Sequence, residues 1–286
     1  MDPTRSRGRR RKRLRSVARA VRARPDGRAD PGGDPELLAL VETLYTDVEE
    51  ARDRLRALLS ALEARNDRRA VFLTIYARMT AAVADRGRRG AFADPDWVGD
   101  YLVAFANLYR EAVRDYGAGA VDALPEPWRL AFEAADRGDS LVVQDAALGV
   151  NAHINYDLAF ALTGVGLEPD RARKFEDHSA VTGVIDDLVD GTQASLAARD
   201  AEGIASVDAA LAGLDEHLLV VTIDECRDSA WRTARALGSR FPPRRRLARW
   251  INRKTATRVA RFIPASRASE TVHGTLRTVE SGDGGE

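Results

Sequence analysis

The chain has 286 residues, a hydrophobic fraction of 44% and equal numbers of basic and acidic side chains, which supplies a packed core and excludes a wholly disordered polymer. The neutrality hides segregation. Residues 1–30 hold 12 basic and 3 acidic residues, residues 240–262 hold 9 basic and no acidic one, and residues 31–239 hold 21 basic against 37 acidic, so a body with an acidic surface carries two basic appendages.

Cys226 is the one cysteine, which leaves no internal disulfide and no cysteine-based zinc site. No apolar run reaches membrane-spanning length, and no apolar stretch of the secretory type follows the basic N-terminus. These features predict a soluble, cytoplasmic protein.

In chain order, residues 1–34 are rich in Arg, Gly, Pro and Asp and hold too few apolar side chains to order themselves. Their block "RGRRRKRLR" has the charge to touch nucleic acid or anionic lipid, although a solvated tail, or one resting on the acidic body, is the favoured reading. From residue 35 the periodicity is helical. Leu37, Leu40, Val41, Leu44, Tyr45 and Val48 open a helix that continues through Leu55, Leu58, Leu59 and Leu62. Phe72, Ile75, Tyr76, Met79 and Val83 mark the next. Asp94-Pro95 caps a third, with Trp97, Val98, Tyr101, Leu102, Phe105, Leu108 and Tyr109 inward, and "PEPW" at 125–128 starts a short fourth.

The fifth runs from about Leu141 to Leu162, stopped by Gly164 and Gly166. A sixth begins near Glu168-Pro169 and carries Val181, Val184, Ile185, Leu188 and Val189. A short helix near 203–213, a long one from 215 to 237 and a basic one over 244–262, after Pro242-Pro243, complete the series. No strand pattern of useful length occurs. The expected architecture is an all-α, single-domain helical bundle over residues 35–264 with a buried polar central helix, between the tail 1–34 and a polar tail 265–286.

The fifth helix carries "NAHINYD" (151–157) in the most apolar part of the chain. On a wheel at 100° per residue, Gln144, Asn151 and Asn155 fall on one side, and His153 and Asp157 on the other. Buried polar atoms need partners. The sixth helix offers His178 on its apolar face and Asp177 at the edge, and the long late helix offers Arg227 in register with Ile223, Trp231 and Ala234. An arginine there needs a carboxylate or must snorkel.

His153, Asp157, Asp177 and His178 are residue types that would hold a divalent metal such as Zn, Mn or Fe. In that reading His153, Asp157 and His178 form a catalytic pocket, the ion polarises water or substrate, and Arg227 holds an anionic group of a small molecule. Against it stands a hydrogen-bonded core network that fixes helix register. No H-E-x-x-H, G-x-S-x-G, phosphate-binding loop or dinucleotide fingerprint is present. Two functions therefore stand: a small-molecule enzyme with a His/Asp pocket, and a non-catalytic scaffold or interaction protein.

The stretch "LGVNAHINYDLAFAL" resembles the hallmark of an uncharacterised all-helical family of bacteria and archaea, a domain of unknown function typified by Gly-x-Asn-Ala-His-Ile-Asn-x-Asp-Leu. The likeness continues in "YARMTAAV" (76–83), "WVGDYLVAFANLY" (97–109), "PEPWRLAF" (125–132), "KFEDHSAV" (174–181) and "RDSAWRTA" (227–234). Where the pattern has Val-Asn after Asp-His, this chain has Val181-Thr182. The resemblance implies that Asn151, His153, Asn155, Asp157, Asp177, His178, Arg227 and Trp231 form a shared pattern, and it transfers no activity.

The last helix has Leu247, Trp250, Ile251, Val259, Phe262 and Ile263 at helical spacing among arginines. It has the make-up to lie on an anionic membrane. The favoured expectation is that this apolar face closes the bundle, with Trp250 and Phe262 as core anchors.

Overall fold

The computed structural model describes residues 34–138, 140–197 and 216–265. The tail 1–33, the short helix expected at 203–213 and the tail 266–286 lie outside the described residues. Every regular element among the described residues is helical: α1 (Pro35–Val41), α2 (Val48–Glu63), α3 (Arg69–Arg88), α4 (Pro95–Gly117), a 3₁₀ turn (Val121–Ala123), α5 (Glu126–Arg137), α6 (Val142–Val150), a π-helical stretch (Asn151–Asp157), α7 (Leu158–Val165), α8 (Arg171–Ala197), α9 (Glu216–Leu237) and α10 (Pro242–Ala265). No described helix is long and apolar enough to cross a membrane.

The helix ends follow local chemistry. Asp94 accepts the Trp97 N–H at 3.1 Å in front of α4, with Pro95 in the first turn, where its missing N–H costs nothing. Gly138 and Gly166 follow α5 and α7 at φ 65° and 80°, a backbone region that side chains with a Cβ disfavour. Gly164 does not stop the chain and lies inside α7.

The single helix expected over 37–62 is two. The chain breaks between Val41 and Val48 because Asp47 caps α2 through the Glu50 N–H at 2.9 Å, while Glu50 reaches back to the Thr46 N–H at 2.8 Å, a reciprocal box of the kind that starts helices. Asn107 on α4 then holds the break. Its Oδ1 accepts the Tyr45 N–H and its Nδ2 donates to the Tyr45 carbonyl, both at 3.0 Å.

α6, the π stretch and α7 run on as one helix through the middle of the bundle, packed against α3, α4, α5, α9 and α10. Leu148, Ala152, Leu158, Ala159, Ala161 and Leu162 are fully buried. Each buried leucine contributes about 1.5–3 kcal/mol relative to exposure. Leu73 of α3, Tyr101 and Tyr109 of α4 and Trp128 of α5 are buried on the helices around this rod, and Leu55, Leu58 and Leu62 of α2 are buried in the layer that packs on α3 and α4. This frame encloses the central helix together with its polar residues Asn151, His153 and Asp157.

Candidate functional site

The polar segment "NAHINYD" coincides with the π-helical stretch, where Leu158 N–H reaches the carbonyl of His153, five residues back. A π turn takes more residues than an α turn, so side-chain bearings drift from the 100° wheel, and such insertions recur at functional sites. The two polar stripes nevertheless face opposite ways.

The imidazole of His153 enters a cage of rings. Phe105 lies parallel over it, with centroids 3.5 Å apart and planes 7° apart. The Tyr76 ring meets it edge-on at 4.3 Å. Phe72, Trp128 and Tyr109 close the other sides at 5.6, 5.9 and 6.1 Å. The side chain is 2% exposed. Its Nδ1 lies 3.4 Å from Oδ2 of Asp157, the oxygen that accepts the Trp128 indole N–H at 2.7 Å. Burial holds the His153 pKa below the usual imidazole value, against the pull of Asp157, which favours the neutral ring. Its Nε2 is buried and has no hydrogen-bond partner among the described residues, as is true of the hydroxyls of Tyr45 and Tyr109. Burial pushes the Tyr45 pKa up to about 12.

His178 sits in different surroundings, among Tyr101, Phe175 and Trp231, the last stacked on it at 5.3 Å. The two imidazoles share no ring neighbour; Tyr101 and Phe105, 6.1 Å apart on α4, stand between the clusters. The Arg227 guanidinium lies against His178. Its Nη2 donates to the His178 carbonyl at 2.8 Å and approaches the ring Nδ1 at 3.4 Å. The ring Nε2 faces the Arg227 carbonyl at 3.3 Å, which fixes the tautomer with the proton on Nε2. Burial first, then the Arg227 charge, drives the His178 pKa well below its usual value.

Arg227 corrects one expectation. Among the described residues its partners are neutral: the Thr182 hydroxyl at 2.8 Å, the Tyr101 hydroxyl at 3.4 Å and the His178 carbonyl. Thr182 is thus an acceptor for Arg227 at the position where the chain departs from the resembling pattern. Asp177 is committed elsewhere. Its two oxygens accept the backbone N–H groups of Ala93 and Asp94, each at 2.7 Å, and so tie α8 to the start of α4.

The four residues considered as metal ligands are therefore divided among three places. Asp177 is spent on backbone amides and His178 lies beside a guanidinium, which leaves His153 and Asp157 as a pair. Among the described residues no group of three or more His, Cys, Asp or Glu side chains is placed to hold a metal ion. The donor set does not fit one.

The amide stripe faces α10. Asn151 Nδ2 donates to the Ala256 carbonyl at 2.9 Å, and Asn252 of α10 returns the bond to the Tyr156 carbonyl at the same distance. Gln144 donates to the Ile263 carbonyl at 3.3 Å and accepts the Leu141 N–H at 3.0 Å. Asn155 donates to Asn151 Oδ1 at 3.0 Å.

α10 overturns the expectation for most of its apolar face, although Val259 and Ile263 are half-buried and Ile263 packs on the core. The inward residues are Ala248, Asn252, Ala256, Thr257 and Ala260, whereas Leu247, Trp250, Ile251 and Phe262 are exposed, Trp250 by 52% and Phe262 by 69%. Small side chains let the backbones approach closely enough for the two amide bonds, which large anchors would prevent. Trp128, Tyr101, Phe105, Thr182 and Asn252 belong to the site although sequence reasoning passed over them as site residues. For Asn252 the signal was available: it sits at i, i+4 spacing between Ala248 and Ala256.

Two of the grooves among the described residues lie near the site. One, of about 490 Å³, is lined by Arg171, Phe175, Asp228, Trp231, Arg232 and Arg235. The other, of about 630 Å³, lies between Tyr156 and α10, against Arg245, Arg246, Arg249, Trp250 and Arg253. Neither is lined by His153, Asp157 or His178.

A family model described as a family of unknown function, DUF5995, matches residues 48–266. No curated protein and no solved structure matches the chain.

Proposed function

The chain belongs to this family of unknown function, DUF5995, and from that premise we propose that it is a non-catalytic scaffold or interaction protein whose buried His/Asn/Asp network is structural. What supports the reading is that the polar side chains of the pattern are spent on neighbouring helices. Asp157 ties the central helix to α5 through Trp128, Asn151 ties it to α10, Asp177 ties α8 to the start of α4, and Arg227 ties α9 to α8. Such bonds contribute about 0.5–1.5 kcal/mol each, and about 1.5–3 where a charge takes part. A cytoplasmic location is part of the same reading, and the single cysteine fits a reducing compartment.

A second reading, a small-molecule enzyme, is favoured by one observation. The Nε2 of His153 is a buried basic nitrogen without a protein partner among the described residues, on a π-helical stretch. There His153 would act as general base, with Asp157 orienting it. One experiment tests the structural reading: metal analysis of the purified full chain, together with His153→Ala. On the structural reading the wild type carries no stoichiometric metal, and the variant keeps its helical circular dichroism while losing a few kcal/mol of stability. Stoichiometric metal that the variant releases, or a variant of unchanged stability, would overturn it.

A further inference from the structure

We propose that α10 is a docking surface for an anionic phospholipid membrane, with the helix lying flat at the headgroup level. The inference rests on the reading above only in that an interaction protein works through its surface.

α10 carries Arg244, Arg245, Arg246, Arg249, Arg253, Lys254, Arg258 and Arg261, and no acidic residue. Among the described residues only Arg261 meets a carboxylate, that of Glu126. This density of cations on one helix of about 36 Å matches a surface that is itself continuously negative.

The apolar residues select the kind of negative surface. Leu247, Ile251 and Phe262 fall within about 60° of one another on the outer side, and all three are exposed. Lys254 and Arg258 share that side, with stems long enough to carry their charges up to headgroup level. Trp250 stands at the border between this ridge and the arginine-lined groove beside Tyr156, and an indole favours the membrane–water boundary. Phe241 extends the exposed set just ahead of the helix. A nucleic-acid groove makes little use of Leu, Ile and Phe, whereas an interfacial helix buries them at the acyl boundary. A second copy of the same helix would set its cations against their like. The inner stripe of alanines with Asn252 keeps α10 on the bundle, so the outer face meets the bilayer without leaving the fold.

Trp250 is the exposed one of the four tryptophans; Trp97, Trp128 and Trp231 are buried, so the iodide-quenchable part of the emission reports on α10. The full chain is mixed with vesicles of phosphatidylcholine alone, or with about one-third phosphatidylglycerol. Sedimentation with the anionic vesicles alone, with a blue shift and loss of iodide quenching, is the expected result. Leu247→Gln/Ile251→Gln and Arg249→Gln/Arg253→Gln, all at exposed positions, should each weaken binding by about tenfold or more with circular dichroism unchanged. Absence of binding refutes the proposal. Binding that both variants leave intact refutes it too, since the basic residues 1–33 would then carry it. Trp250 already shielded from iodide without vesicles would show the face covered by protein. Binding to a DNA duplex that needs Arg249 and Arg253 but not Leu247 and Ile251, without vesicle binding, would replace lipid by nucleic acid. Any of these results leaves the role of the buried network untouched.

Discussion

Gly149, two residues before the π stretch, offers a sharp test of the aromatic cage. A Cβ built on it would lie 2.3 Å from Cγ of Phe72, 2.5 Å from its Cβ and 2.6 Å from its Cδ2, whereas non-bonded carbons rest about 3.5–4.0 Å apart. On propensity alone Gly149→Ala, inside a helix, should stabilise by about 1 kcal/mol. The packing decides otherwise. Phe72 has little room to retreat, because its ring meets Tyr109 at 5.4 Å, Trp128 at 5.6 Å and His153 at 5.6 Å. Overpacking of this kind costs about 1–3 kcal/mol, and a shortfall of more than an ångström at three atoms belongs at the upper end. The balance is a loss of about 2 kcal/mol, or about 4–8 °C in Tm for a chain of this size. Urea unfolding followed by circular dichroism gives the energy. Phe72→Leu in the same chain should relieve part of the loss, as a coupling of about 0.5 kcal/mol or more in a double-mutant cycle. A Gly149→Ala protein as stable as wild type, or an additive cycle, would mean that Phe72 does not pack across the glycine.

Three further outcomes follow from the polar contacts. Both His153 and His178 have folded pKa values below the ordinary 6.5, so stability is fully present above about pH 6.5 and declines as pH falls below it, by up to about 1.4 kcal/mol per histidine at pH 5.5; urea unfolding at pH 7.5 and 5.5 checks this, and a flat profile contradicts neutral buried rings. Thr182→Val removes the acceptor 2.8 Å from Arg227 Nε and should cost about 1–3 kcal/mol, while Thr182→Ser should restore most of it in the same assay. Asp177→Ala should lower Tm and speed amide exchange at Ala93 and Asp94, whose N–H groups it accepts; unchanged exchange there would remove Asp177 from its tie between α8 and α4.

The parts of the molecule legible in the sequence are those decided locally. Asp94-Pro95 and Gly166 act within one turn, and the opposite placement of the amide and imidazole stripes follows from helical spacing that even the π stretch preserves. The break between α1 and α2 was hidden because Leu44 and Tyr45 carry the apolar period across it, while part of what holds it open, Asn107, lies 62 residues away from Tyr45. The Thr46–Glu50 spacing carries a cap signal that the same periodicity masks. Arg227 was expected to seek a carboxylate, since charge pairing dominates any reading of an isolated arginine; a hydroxyl from another helix becomes available only once α8 and α9 are packed. On α10 the sequence pattern misleads at Trp250 and Phe262 because hydrophobicity ranks Trp and Phe above Ala as core residues. What decides there is how closely two backbones approach, which favours the smallest side chains.

The paired bonds between Asn151 and the Ala256 carbonyl and between Asn252 and the Tyr156 carbonyl act as two dowels driven from opposite sides. Rotating α10 about its axis, or sliding it by one residue, withdraws both at once, so the buried amides of Asn151 and Asn252 fix its bearing on the bundle. Side chains such as Leu247, Arg249 and Ile251 take no part in that alignment. The outer face can therefore change its chemistry from one sequence to another without re-solving the fold beneath it, and variation among relatives should gather there while the dowels stay fixed.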